Sequence, residues 1–146
     1  MSILSIIIIA FIILESLNVL LLYFTPDSKK GNGVGVFDAW EESKQYEDIH
    51  ALIRYLVYWV AGTKLIFIAL LIVSLITGDR TTQIAVTIAL ILSILSYFWR
   101  LHPIIKRMDK KGKITPAGYG KTLSIMISVF VAVFTIGLII SLVFGL

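Results

Sequence analysis

Residues 3–24 read ILSIIIIAFIILESLNVLLLYF, an apolar run interrupted by one carboxylate, Glu15, and one amide, Asn18. A helix of this length covers a ~30 Å hydrocarbon core, which takes about 20 residues at 1.5 Å rise. The run lacks a basic leader and a small-residue cleavage site, so it reads as a retained span rather than a signal peptide. Three more such stretches follow, at about 52–77, 81–101 and 116–144. The whole chain therefore reads as one domain, 1–146: an all-α membrane protein with four antiparallel transmembrane helices.

Composition supports this. Of 146 residues, 58% are hydrophobic and only 15% charged, and a water-soluble fold of this size cannot hide that much Ile, Leu, Val and Phe. Cysteine is absent, which excludes disulfides, thiolate nucleophiles and Cys-ligated metals, and His50 and His102 are the only histidines. No cofactor or metal is expected, and no nucleophile–base motif points to an enzyme.

Alternating spans place the two longer loops, 25–51 and 102–115, on one side. That side carries Lys29, Lys30, Lys44, Arg54, Arg100, Lys106, Arg107, Lys110, Lys111, Lys113 and Lys121, and the other only Arg80. The positive-inside rule makes the loops cytoplasmic and puts both termini outside, with a prokaryotic plasma membrane the expected location. Every Tyr and Trp falls near the same side, as half of an aromatic belt.

The first loop opens with Thr25-Pro26 and continues Gly31-Asn32-Gly33-Val34-Gly35-Val36, which reads as a flexible linker. Asp38 and Glu41 then form an N-terminal capping pattern for a short cytoplasmic surface helix over 38–50, between the first and second spans. In the second loop Lys106, Arg107, Lys110, Lys111 and Lys113 mark the topology, or bind anionic lipid headgroups, which suit the +4 net charge better than nucleic acid because the charges flank the spans. The acidic helix and this basic loop share a face and are placed to pair. Thr115-Pro116 reads as N-cap and first residue of the fourth helix.

Two ionisable side chains lie deep in the spans, Glu15 and Lys64, each about nine residues from the loop end of its helix, or roughly 13 Å. A lone charge there costs ~3 kcal/mol, so the two are expected to meet inside the bundle. Asn18 sits one turn from Glu15, and Ser93, Tyr97 and Ser128 are assigned to the same polar lining. His50, Arg54 and Lys64 form one helical stripe, with Arg100 completing a cytoplasmic mouth. Two readings stand: a structural ion pair fixing helix register, or a site handling a proton, an ion or a small polar solute. The corresponding functions are a small channel or transporter, or an accessory module recruiting anionic lipid or a membrane partner through its loops. Gly137, Ser141 and Gly145 recur every four residues, a small-residue stripe for close helix packing within the chain or in a homodimer.

Overall fold

The computed structural model describes residues 2–145. All regular structure among them is helical: α1 (Ile3–Phe24), α2 (Asp38–Ser43), α3 (Glu47–Thr77), α4 (Arg80–Leu95), α5 (Tyr97–Lys110) and α6 (Tyr119–Phe144), with a 3-10 turn at Val34–Val36. α4 and α5 form one nearly continuous rod broken at Ser96. With that rod counted once, four helices among the described residues are long and apolar enough to cross a membrane. Most of their large side chains face outward, Ile66 at 66% and Leu70 at 62% exposed among them. An outward apolar surface of that kind suits a lipid solvent and not water.

The inward faces follow the helical period. On α1 the buried positions Leu4, Ile8, Phe11, Val19 and Leu22 form a stripe, and on α3 Val57, Ala61, Ile68 and Leu71 form another. Glu15 falls on the first stripe between Phe11 and Val19, and Lys64 on the second between Ala61 and Ile68. Phe11 anchors the centre, edge-on to the rings of Phe67, Phe130 and Phe134 at 6.2, 5.6 and 5.3 Å between centroids.

Where Gly78 and Asp79 join α3 to α4, the Asp79 carboxylate caps α4 by accepting the N–H and hydroxyl of Thr82, both at 2.8 Å. These bonds hold the Asp79 pKa below the ordinary carboxylate value. At the same end of the bundle Ser2 and Ser5 both reach Gln83 Oε1, at 2.6 and 3.2 Å, and Arg80 donates to the Ser141 carbonyl at 2.5 Å.

The opposite, loop-bearing end departs from expectation in several places. The surface helix stops at Ser43, and Glu47–His50 form the first turn of α3 instead. Asp38 does not cap it; Phe37 precedes the helix without a side-chain cap, and Asp38 accepts the Thr115 hydroxyl at 3.3 Å. The helix expected to end near Leu101 runs on to Lys110, leaving only 111–118 as loop. Pro103 removes one helical N–H, yet α5 persists because Ile105, 4% exposed, packs with Tyr119 and Leu123 of α6.

The fourth helix begins at Tyr119, not at Pro116. Thr115 is drawn off instead: its N–H donates to Val36 O at 2.8 Å, beside an antiparallel bridge between Phe37 and Ile114. Gly118 turns the chain at φ 82°, and Asp109 of α5 caps the new start, accepting the N–H groups of Gly118 (2.9 Å) and Gly120 (3.1 Å).

The glycine segment is no flexible linker. Val36 is fully buried, and a Cβ on Gly35 would stand 1.9 Å from the Asp27 carbonyl oxygen. Glycine is needed here for close approach of two backbones. The expected pairing of acidic and basic segments is present, since Lys113 Nζ lies 2.8 Å from Glu42 Oε1.

Candidate functional site

Lys64 Nζ donates to Glu15 Oε2 at 2.7 Å and to Asn18 Oδ1 at 2.6 Å. The Lys64 and Glu15 side chains retain only 23% and 20% of their exposure. The local cause is the two inward stripes: each polar group occupies a core position of its helix, and the facing helix supplies its partner. An ammonium carries three N–H donors, and two are spent on these partners. The cluster is a charge-neutral pair with one donor to spare.

Around it lie three cavities. The largest, about 830 Å³, runs from Lys64 to the loop end and has the size of a ligand pocket. Its walls come from α1, the Gly33–Phe37 segment, α3, the α4–α5 rod and α6, and are apolar or aromatic over most of their area, with Leu56, Val60, Ile94 and Leu123 typical. Polar groups are few: half-buried Lys64, buried Tyr97 and Tyr119, and exposed Asn32, Ser93, Ser96 and Arg100. It exists because α5 packs chiefly on α6. Exposed Leu56, Val60, Trp99 and Leu101 mark its side opening between α3 and α5. A second cavity of about 530 Å³ borders both Glu15 and Lys64 and includes Thr63 and Ser93, and a third of about 300 Å³ borders Glu15 and Asn18.

The structure thus brings Glu15, Asn18 and Lys64 into contact and places Ser93 and Tyr97 on the chamber wall. Tyr97 is buried, with its hydroxyl 3.3 Å from Ser124 Oγ. Ser128 is elsewhere. The inward stripe of α6 passes through Leu123, Phe134, Gly137 and Ser141, with Ile127 and Phe130 presented to the Glu15 side. Ser128 is out of phase with that stripe and bonds back to the Ser124 carbonyl at 2.9 Å.

The expected mouth also divides. Arg100 lines the chamber and stacks on Trp99 at 5.1 Å. Arg54 instead donates to Tyr58 Oη at 3.2 Å, and His50 lies against the Trp40 ring with Nδ1 2.8 Å from Ser43 Oγ. Trp40 in turn donates its indole N–H to Asp27. That bond, with Lys44 at 3.0 Å, holds the Asp27 carboxyl below its ordinary pKa. Of the basic second-loop residues, Lys106 and Lys110 line a groove between α5 and α6, Arg107 and Lys111 are exposed, and Lys113 is tied to Glu42, which raises its pKa.

The small-residue stripe is used within the chain. A Cβ on Gly137 would meet Ile7 Cδ1 at 2.2 Å, Ser141 is fully buried, and Gly145 terminates α6 at φ 72°. The sequence pattern showed no sign of the Asp109 cap or of the Ser2–Ser5–Gln83 cluster, because each depends on which helices become neighbours. Compared with protein-family models, with curated proteins and with solved structures, the chain has no match.

Proposed function

We propose that this chain is an integral membrane protein that binds an amphiphilic small molecule in the α3–α5 chamber and moves it between bilayer and bundle interior. Its four spans run antiparallel, with loops cytoplasmic and termini outside. Support for the antiparallel order comes from the contacts of α1 with α3: Tyr23 stacks on Tyr58, Asn18 and Glu15 meet Lys64, and Phe11 meets Phe67, so the numbers fall on one helix as they rise on the other. The lopsided distribution of Lys and Arg supports the orientation.

The observation that carries the reading is a lysine in the wall of a mostly apolar chamber that opens sideways between two helices. A hydrated ion needs polar groups along its path to replace its water shell. This lining offers few, so the transporter expectation narrows from ions and small polar solutes to amphiphiles. The guest's apolar body fills the chamber, and its acceptor group, a carbonyl or carboxylate, takes the remaining Lys64 donor. Glu15 and Asn18 hold the ammonium in place, and Arg100 meets an anionic head at the rim.

Equilibrium binding of a fluorescent long-chain carboxylate to the protein in nanodiscs tests this reading. Saturable binding, weakened on the order of tenfold by Lys64→Met, is the expected result. Binding unchanged in that variant would overturn it.

A further inference from the structure

On the opposite side of α5 lies a second groove, of about 860 Å³, between α5 and α6. Its α5 wall repeats at helical spacing, with His102, Lys106 and Lys110 on one face. Its α6 wall runs from Lys121 through Ser124 and Ser128 to Ile125, Val129 and Ala132. The groove is therefore graded. Three ammonium groups stand at the loop end, hydroxyl and imidazole groups come next, and a bare apolar trough follows.

The one carboxylate in the wall, Asp109, offsets only part of the charge of the three lysines and leaves the groove cationic. Asp109 spends both oxygens on the N–H groups of Gly118 and Gly120, and no described acidic residue forms an ion pair with Lys106, Lys110 or Lys121. Below them Ser124 Oγ is held by His102 Nδ1 at 2.8 Å and donates to the Gly120 carbonyl, also at 2.8 Å. From Lys121 to Ala132 the trough descends about 16 Å, close to the depth of one leaflet of a ~30 Å core.

We propose that this groove is a binding site for a single anionic phospholipid of the leaflet on the loop side. Its phosphate sits among Lys106, Lys110 and Lys121, and one acyl chain lies along Ile125, Val129 and Ala132. Charge selects the lipid, since a zwitterionic choline head would carry a cation into three others. The inference rests on the chain spanning a membrane but not on the Lys64 chamber, which has separate walls.

Native mass spectrometry of the detergent-solubilised protein with defined lipids tests it. The protein is expected to retain one phosphatidylglycerol per chain in preference to phosphatidylcholine, and glycerol 3-phosphate is not expected to displace it. A Lys106→Gln, Lys121→Gln double variant is expected to lose retention by about twenty-five-fold, at roughly fivefold per charge. Lys111→Gln, outside the groove, is expected to retain it. Equal retention of phosphatidylcholine, full displacement by glycerol 3-phosphate, or parental retention by the double variant would each overturn the proposal. The lipid comparison uses the unaltered protein, so it decides even where the double variant does not fold.

Discussion

Glu15 and Lys64 are 49 positions apart in the chain and 2.7 Å apart in space, each on the inward stripe of its own helix. Removing one partner leaves the other charge largely buried without its counter-charge, so the pair acts as a unit. Glu15→Ala is expected to destabilise the protein by about 3 kcal/mol. Adding Lys64→Leu is expected to recover most of that loss. Thermal unfolding in detergent across the double-mutant cycle checks both, and additive losses would show that the two do not interact.

Asp109 does for α6 what Thr115 and Pro116 do not. Asp109→Ala is expected to cost about 1–2 kcal/mol by freeing the N–H groups of Gly118 and Gly120. Asp109→Asn, which keeps an acceptor for only one of them, is expected to fall between. Hydrogen exchange at the first turn of α6 reads the difference.

The glycine segment is predicted to be rigid. Gly35→Ala drives a methyl group into the Asp27 backbone and is expected to cost more than 2 kcal/mol, whereas Gly112→Ala meets no neighbour within 4 Å. Gly112 has φ 65°, so its alanine variant carries only the strain of that backbone, about 1 kcal/mol. Unfolding midpoints of the two variants rank them, and an equal effect would contradict the packing described.

The loop end is expected to loosen in acid. Trp40 and Lys44 hold the Asp27 pKa below its ordinary 3.8. A depressed carboxylate contributes stability that is full above 3.8 and lost as pH falls through the folded value. Trp40 emission is expected to shift to the red below about pH 4, and Asp27→Asn is expected to remove that transition. At the alkaline end the sign reverses. Glu42 raises the Lys113 pKa above 10.5, so the Lys113–Glu42 contribution is full below 10.5 and lost as pH rises through the folded value.

Much of this architecture was legible in the sequence. The four apolar runs are long and apolar enough to cross a membrane, and helices that suit hydrocarbon leave an unmistakable composition. Glu15, Asn18 and Lys64 were legible for the same reason, since isolated polar groups at matched depth need one another. Ser128 was misplaced because depth was read without rotational phase; the spacing of Leu123, Phe134, Gly137 and Ser141 sets the inward face and leaves Ser128 outside it. The ends of α5 and α6 were misjudged because Pro103 and Pro116 are local signals, overridden by Ile105 packing and by the Val36–Thr115 hydrogen bond. The chamber itself has no local signature, because it arises where α5 packs on α6 and leaves room beside α3.

If the chamber that Lys64 lines is reached from the bilayer and not from water, a thiol on its wall will react accordingly. The chain contains no cysteine, so one introduced thiol reports alone. With Ser93→Cys on the chamber wall, the protein in liposomes is predicted to react rapidly with a membrane-permeant aromatic maleimide, to be shielded by a long-chain carboxylate, and to react slowly with a charged methanethiosulfonate. Fast labelling by the charged reagent, undiminished by the amphiphile, would reveal a water-filled pathway and contradict the account.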